Sequence, residues 1–136
     1  MYGKGTVMTA RIVAVLCVGL GSALGGMCRY AMTVWTGEKL GSGWPWGTLF
    51  VNVLGCLFIG FASGLLARMT PVSPVWRLLV CVGFCGGFTT FSTFAADGAA
   101  LWRAEFPFQA IAYVTVSLLL GFVALWCGGV LGRCIG

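Results

Sequence analysis

Long uncharged runs, punctuated by single charges, organise this chain. Residues 12–28, 40–67, 78–96 and 106–132 contain no Asp, Glu, Lys or Arg. A helix needs about 20 apolar residues to cross ~30 Å of hydrocarbon. The pattern therefore predicts an all-α integral membrane protein with four transmembrane helices, at about residues 11–35, 46–67, 76–103 and 108–133. The polar stretch "TGEKLGSG" reads as the first loop. "WPWG" opens the second span, with Pro45 at a favourable helix start and Trp44 and Trp46 suited to the interface. "RMTPVSPVW" reads as a short turn with two prolines, and "AEFPF" as the last turn. Residues 1–136 then form a single four-helix domain with short connections.

Composition agrees with this reading. The chain is 60% hydrophobic and 8% charged, against roughly 25% charged residues in soluble domains. Lys4 and Arg11 ahead of "IVAVLCVGLGSALGG" also fit a secretory signal peptide. However, the apolar run continues past the small residues, and cleavage would leave an odd number of spans. The net charge of +5 forms no basic cluster, so no nucleic-acid partner is expected. The basic residues stand at span ends, where membrane proteins place them. Lys4, Arg11, Arg68, Arg77 and Arg133 fall on one side, and Arg29, Lys39 and Arg103 on the other. Five against three barely orients the chain.

Seven cysteines and no histidine include no C-x-x-C. The cysteines read as small apolar fillers rather than as a zinc or redox centre.

Polar groups inside hydrocarbon are costly unless they face protein or a water-filled path. Those in the spans are Arg29, Asn52, the run Thr89-Thr90-Phe91-Ser92-Thr93-Phe94, Asp97, Tyr113, Thr115 and Ser117. Single hydroxyls can bond the preceding turn of their own helix. Asn52 is stronger evidence, because an amide cannot satisfy its bonding sites within one helix. Gly86-Gly87 followed by Thr89-Thr90 is poor helix-forming sequence in mid-span. It fits either a helix break lining a cavity or a kink whose glycines serve packing. Gly21 and Gly25, Gly60 and Gly64, Gly83 and Gly87, and Gly128 and Gly132 are spaced for close helix approach. Packing within one bundle explains them, but an oligomer is favoured, since a lone four-helix chain has little interior for polar groups.

"GFCGGFTTFSTF" (83–94), "GTLFVNVLGCLFIG" (47–60) and "GGMCRY" (25–30) resemble the Fluc/CrcB family of fluoride channels, over the whole chain and in the same order. The resemblance implies a passive fluoride channel of the prokaryotic cell membrane that exports cytoplasmic fluoride and catalyses no reaction. It implies a homodimer of oppositely oriented copies (dual topology) and a third helix broken near its middle. A structural sodium ion at the dimer centre would be held by the backbone carbonyls of Gly86 and Thr89. Asn52, Phe91, Phe94, Ser92, Thr93, Tyr113 and Ser117 would line the fluoride pore. Arg29 and Asp97 would be vestibule or helix-packing charges.

Two positions depart from the family pattern. Ala95-Ala96-Asp97 stands where relatives often have Ser-x-Glu, and Gly121 where another Ser is common.

The chemistry fits, because fluoride is small and strongly hydrated and its water must be replaced by donors. The Asn52 amide and hydroxyls can donate, and aromatic edges are electropositive. Two rivals fare worse. A small multidrug exporter needs a carboxylate midway along the first span, and none is there. A holin-like spacer has no use for Asn52 or the Thr/Ser/Phe run.

Overall fold

The structure, a computed structural model, describes residues 4–68 and 74–135. Helix α1 is Lys4–Leu40 and α2 is Trp46–Leu66. Helix α3 covers residues 74–88, α-helical at Pro74–Trp76 and Gly86–Phe88 and π-helical over Arg77–Cys85 between them. Helix α4 is Phe91–Arg103 and α5 is Pro107–Ile135. Four stretches are long and apolar enough to cross a membrane: Val7–Leu40, Trp46–Leu66, Pro74–Arg103 and Pro107–Ile135. No strand occurs among the described residues. The expected two-proline turn falls largely outside the described residues.

The loop expected from Thr36 onward is shorter than the sequence suggests. Thr36 is fully buried, and its hydroxyl donates to the Met32 and Thr33 carbonyls at 2.8 and 3.0 Å. The hydroxyl is satisfied on its own helix, and that helix runs on through "TGEKL". It stops at Gly41, whose φ of +79° suits glycine. The Gly41 N–H closes the last turn on the Gly37 carbonyl at 3.1 Å.

Glycines bring the helices together in two pairs. Gly21 and Gly25 of α1 lie against the backbone of residues 79–88 in α3, and Gly83 and Gly87 lie against Val18, Gly21 and Ser22. Gly60 and Gly64 of α2 meet the α5 backbone near Leu125 and Gly129, while Gly128 and Gly132 meet that of α2 near Leu57 and Phe61. At most of these eight positions a Cβ would overlap backbone atoms, so the helices touch main chain to main chain. All four glycine pairs are therefore engaged within one chain. Packing within the bundle accounts for these glycines.

Thr89 and Thr90 separate α3 from α4. Both are extended, with φ/ψ of −79°/157° and −148°/112°. Helix α4 packs mainly on α5 and buries none of its own residues.

Candidate functional site

The link at Thr89–Thr90 is held by α2. The Thr90 N–H donates to Asn52 Oδ1 at 2.8 Å, and Asn52 Nδ2 donates to the Thr90 carbonyl at 3.1 Å. One amide thus satisfies both backbone groups of a residue that has left the helix. In a continuous helix that N–H would have gone to the Gly86 carbonyl. One turn along α2, Gly55 lies beneath Thr89, and a Cβ there would overlap the Thr89 methyl. The motif N-x-x-G is therefore a clasp, in which the amide grips Thr90 and the bare glycine admits Thr89.

Thr90 also caps α4. Its hydroxyl oxygen accepts from the Thr93 N–H at 3.2 Å, and its O–H donates to Thr93 Oγ1 at 2.9 Å. Ser92 Oγ lies 3.3 Å from it. The hydroxyl-rich run is thus a cap network at the start of a helix. Thr89 bonds back to the Cys85 carbonyl at 2.9 Å.

Two recesses open here, the first lined by Thr89 and Thr90 themselves and the second reached through Thr93 of the cap network. One, of about 530 Å³, is lined by Asn52, Phe91, Phe94 and Ser117, together with Cys56 and Gly121. Phe91 and Phe94 lie with centroids 5.8 Å apart at 43°. Phe91 is 79% exposed in the single chain. The Ser117 hydroxyl oxygen is buried and has no hydrogen-bond partner, and such groups require explanation.

The other recess, of about 480 Å³, is lined by Thr48, Thr93, Asp97 and Trp44. Tyr113, fully buried, stands between the two. Its ring lies 5.4 Å from Phe94 and 5.5 Å, edge-on, from Trp44. Asp97 Oδ2 accepts from Thr48 Oγ1 at 2.6 Å and from Tyr113 OH at 3.5 Å.

Most sequence-identified residues therefore gather around the link, with Asn52, Phe91, Phe94 and Ser117 on one recess, Thr93 and Asp97 on the other, and Tyr113 between. Gly86 lines the first recess too, as does Thr89. Arg29 is half-buried on α1 and lines neither recess. Thr115 is exposed on α5. Sequence reasoning missed Thr48 and Gly55 as site residues. Thr48 is four residues before Asn52, which puts both on one face of α2.

Residues 16–129 match the model of a family described as CrcB-like protein, Camphor Resistance (CrcB). The chain is similar to the fluoride-specific ion channel FluC of Acidobacterium capsulatum, with 42% identity over 118 residues, covering 87% of this chain and 94% of that one. It is similar to FluC of Chloroflexus aurantiacus, 38% identical over 122 residues and covering 90% of this chain and 97% of the other. FluC of Rhizobium meliloti is 39% identical over 119 residues, 88% and 95% of the two chains.

Proposed function

The chain belongs to the CrcB family, and on that premise we propose that it is a passive, fluoride-selective ion channel. It is a multi-pass membrane protein and catalyses no reaction. Fluoride that enters a cell as neutral HF ionises and is trapped, and an open fluoride path releases it.

The observation that carries the path through this site is the pairing of donors with aromatic edges in one recess. Asn52 Nδ2 uses one hydrogen on Thr90 and keeps a second, and the Ser117 hydroxyl has no partner. Phe91 and Phe94 wall the same space. A dehydrated anion finds donors and positive ring edges there. Ser92, Thr93 and Tyr113 extend the polar groups toward Asp97 and Thr48, in what we read as a vestibule. Arg29 then acts as a packing or vestibule charge on α1.

The working unit is a homodimer of oppositely oriented copies. Phe91, Ser92 and Thr93 are exposed together on α4 at membrane depth, where polar side chains ordinarily face protein or a water-filled path. The five-to-three charge balance fits insertion either way. The break at Thr89–Thr90 suits a sodium ion at the dimer centre. The Gly86 carbonyl loses its expected helical donor to Asn52, and carbonyl oxygens are the donors a hard cation takes. Gly86 and Thr89 would hold the ion, which supplies charge and cross-linking at the two breaks.

The test is anion efflux from liposomes holding the purified protein. Fluoride should leave without proton coupling while chloride stays inside. Equal release of both anions would overturn the reading.

A further inference from the structure

We infer that the Cys56 thiol is a donor in the fluoride path, acting at the level where Gly121 offers none. The inference rests on the channel reading of the recess and assigns a residue that reading does not use.

The argument starts from spacing. Asn52 and Cys56 are four residues apart on α2, so the thiol lies one turn along the face that carries the amide. Ser117 and Gly121 stand in the same relation on α5. All four line one recess. A Cβ built on Gly121 would sit 3.5 Å from Cys56 Sγ. The sulfur therefore lies in van der Waals contact with the place a Cβ at position 121 would take, at the same level of the recess.

Cys56 is half-buried and lines this space. Nearby, the buried Ser117 oxygen has no protein partner, an independent sign that a polar species completes it. On α2 and α5 the wall beside Cys56 continues as Ile59, Leu118, Phe122 and Leu125, none of which can donate, while Cys81 and Cys85 bring two further thiols to the recess from α3. An S–H group is a weak donor, yet its long bond reaches further from the backbone than a hydroxyl would. An anion leaving the Asn52 level then meets Ser117 and Cys56 before any stretch without donors.

The test is fluoride efflux per folded dimer for the wild-type chain, Cys56→Ala and Cys56→Ser. Removing the donor in Cys56→Ala should slow flux roughly tenfold, about one hydrogen bond's worth of barrier. Cys56→Ser, a stronger donor of smaller size, should recover most of that loss. A residue that only packs predicts wild-type flux in both, and a thiol that only constricts predicts faster flux in Cys56→Ala. Either result overturns the inference.

A second measurement guards against poor folding. With the other six cysteines replaced, methyl methanethiosulfonate is added. The Cys56 sulfur, losing its proton to buffer, attacks the reagent's sulfenyl sulfur. A methyl disulfide forms as the sulfur–sulfonyl bond breaks, and methanesulfinate leaves. Flux should fall by about tenfold or more as the donor is lost and the lane narrows, and added fluoride should slow labelling. Labelling without loss of flux overturns the inference. A wild-type chain that passes no fluoride at all overturns the channel reading instead, so the two failures are distinguishable.

Discussion

Asn52 and Thr90 are joined twice: Oδ1 takes the Thr90 N–H at 2.8 Å and Nδ2 gives to its carbonyl at 3.1 Å. The same side chain that lines the recess therefore also holds the extended link between α3 and α4. Asn52→Ala should leave both backbone groups unpaired, at a cost of about 1–3 kcal/mol each for a buried group. Hydrogen exchange at the Thr90 amide should accelerate accordingly. An unchanged exchange rate would show that the clasp does not hold the link.

The glycine beside it makes a sharper test. Gly55 has no Cβ where the Thr89 methyl lies, and that methyl is fixed by the Thr89 bond to Cys85. Gly55→Ala should destabilise the protein by about 1–3 kcal/mol through overpacking. Thr89→Ser keeps the hydroxyl and deletes the methyl, so the double variant should regain most of the loss. Thermal unfolding of the four proteins reads the coupling directly. Strict additivity would mean the two residues do not meet.

Much of this was legible in the sequence, but not the assignments. Four spans follow from the uncharged runs, because membrane crossing constrains length and polarity together. Asn52 stood out since no helix can satisfy an amide. Its actual partners were invisible, since they depend on which helix lies opposite. Thr48 was passed over because a lone threonine usually bonds its own helix, whereas here it donates to Asp97. The glycine pairs announce close approach but not the approaching helix, and the chain uses them internally. Gly86, in a stretch that reads as poor helix former, is itself right-handed helical at φ −65°, ψ −36° and does not need glycine for its backbone.

That last point yields a prediction about assembly. A Cβ at Gly86 meets nothing within 4 Å in this chain. Gly86→Val should therefore leave the single-chain fold intact, apart from a small propensity change of a few tenths of a kcal/mol. If the breaks of two copies face each other around sodium, the same variant should weaken the dimer and its dependence on sodium. Cross-linking and size-exclusion chromatography in sodium and in potassium would show it. A Gly86→Val dimer as stable as wild type in both salts would remove the central ion site.

The turn after α4 stores strain that can be relieved. Glu105 has φ +63°, a left-handed conformation that disfavours a side chain. It ends α4 with two reverse bonds, Glu105 N–H to the Trp102 carbonyl at 3.2 Å and Phe106 N–H to the Leu101 carbonyl at 3.1 Å. This is the helix stop that glycine usually makes. Glu105 is exposed, so little else is lost on replacement. Glu105→Gly should stabilise by about 1 kcal/mol without altering flux, as read by thermal unfolding and efflux together. A lower melting temperature would mean the carboxylate has a partner that outweighs its strain.

The functional claim rests most heavily on Phe91 and Phe94. Phe91 is 79% exposed in the single chain, so Phe91→Ile removes little intrachain packing and isolates the role of the ring edge. Phe94 packs 5.4 Å from Tyr113, and Phe94→Ile should cost some stability, about 1 kcal/mol for an apolar swap of this kind. If both edges meet the anion, each variant should cut fluoride efflux on the order of a hundredfold, the effect of ~2.7 kcal/mol of lost barrier lowering. The dimer should survive in both. Asn52→Asp should block as well. A carboxylate puts an acceptor where the Thr90 carbonyl and the anion both need a donor, and its charge repels fluoride. Residues that merely fill space predict the reverse pattern, with modest loss of stability and unchanged flux per folded dimer. Wild-type fluoride efflux in all three monodisperse variants would remove these side chains from the path.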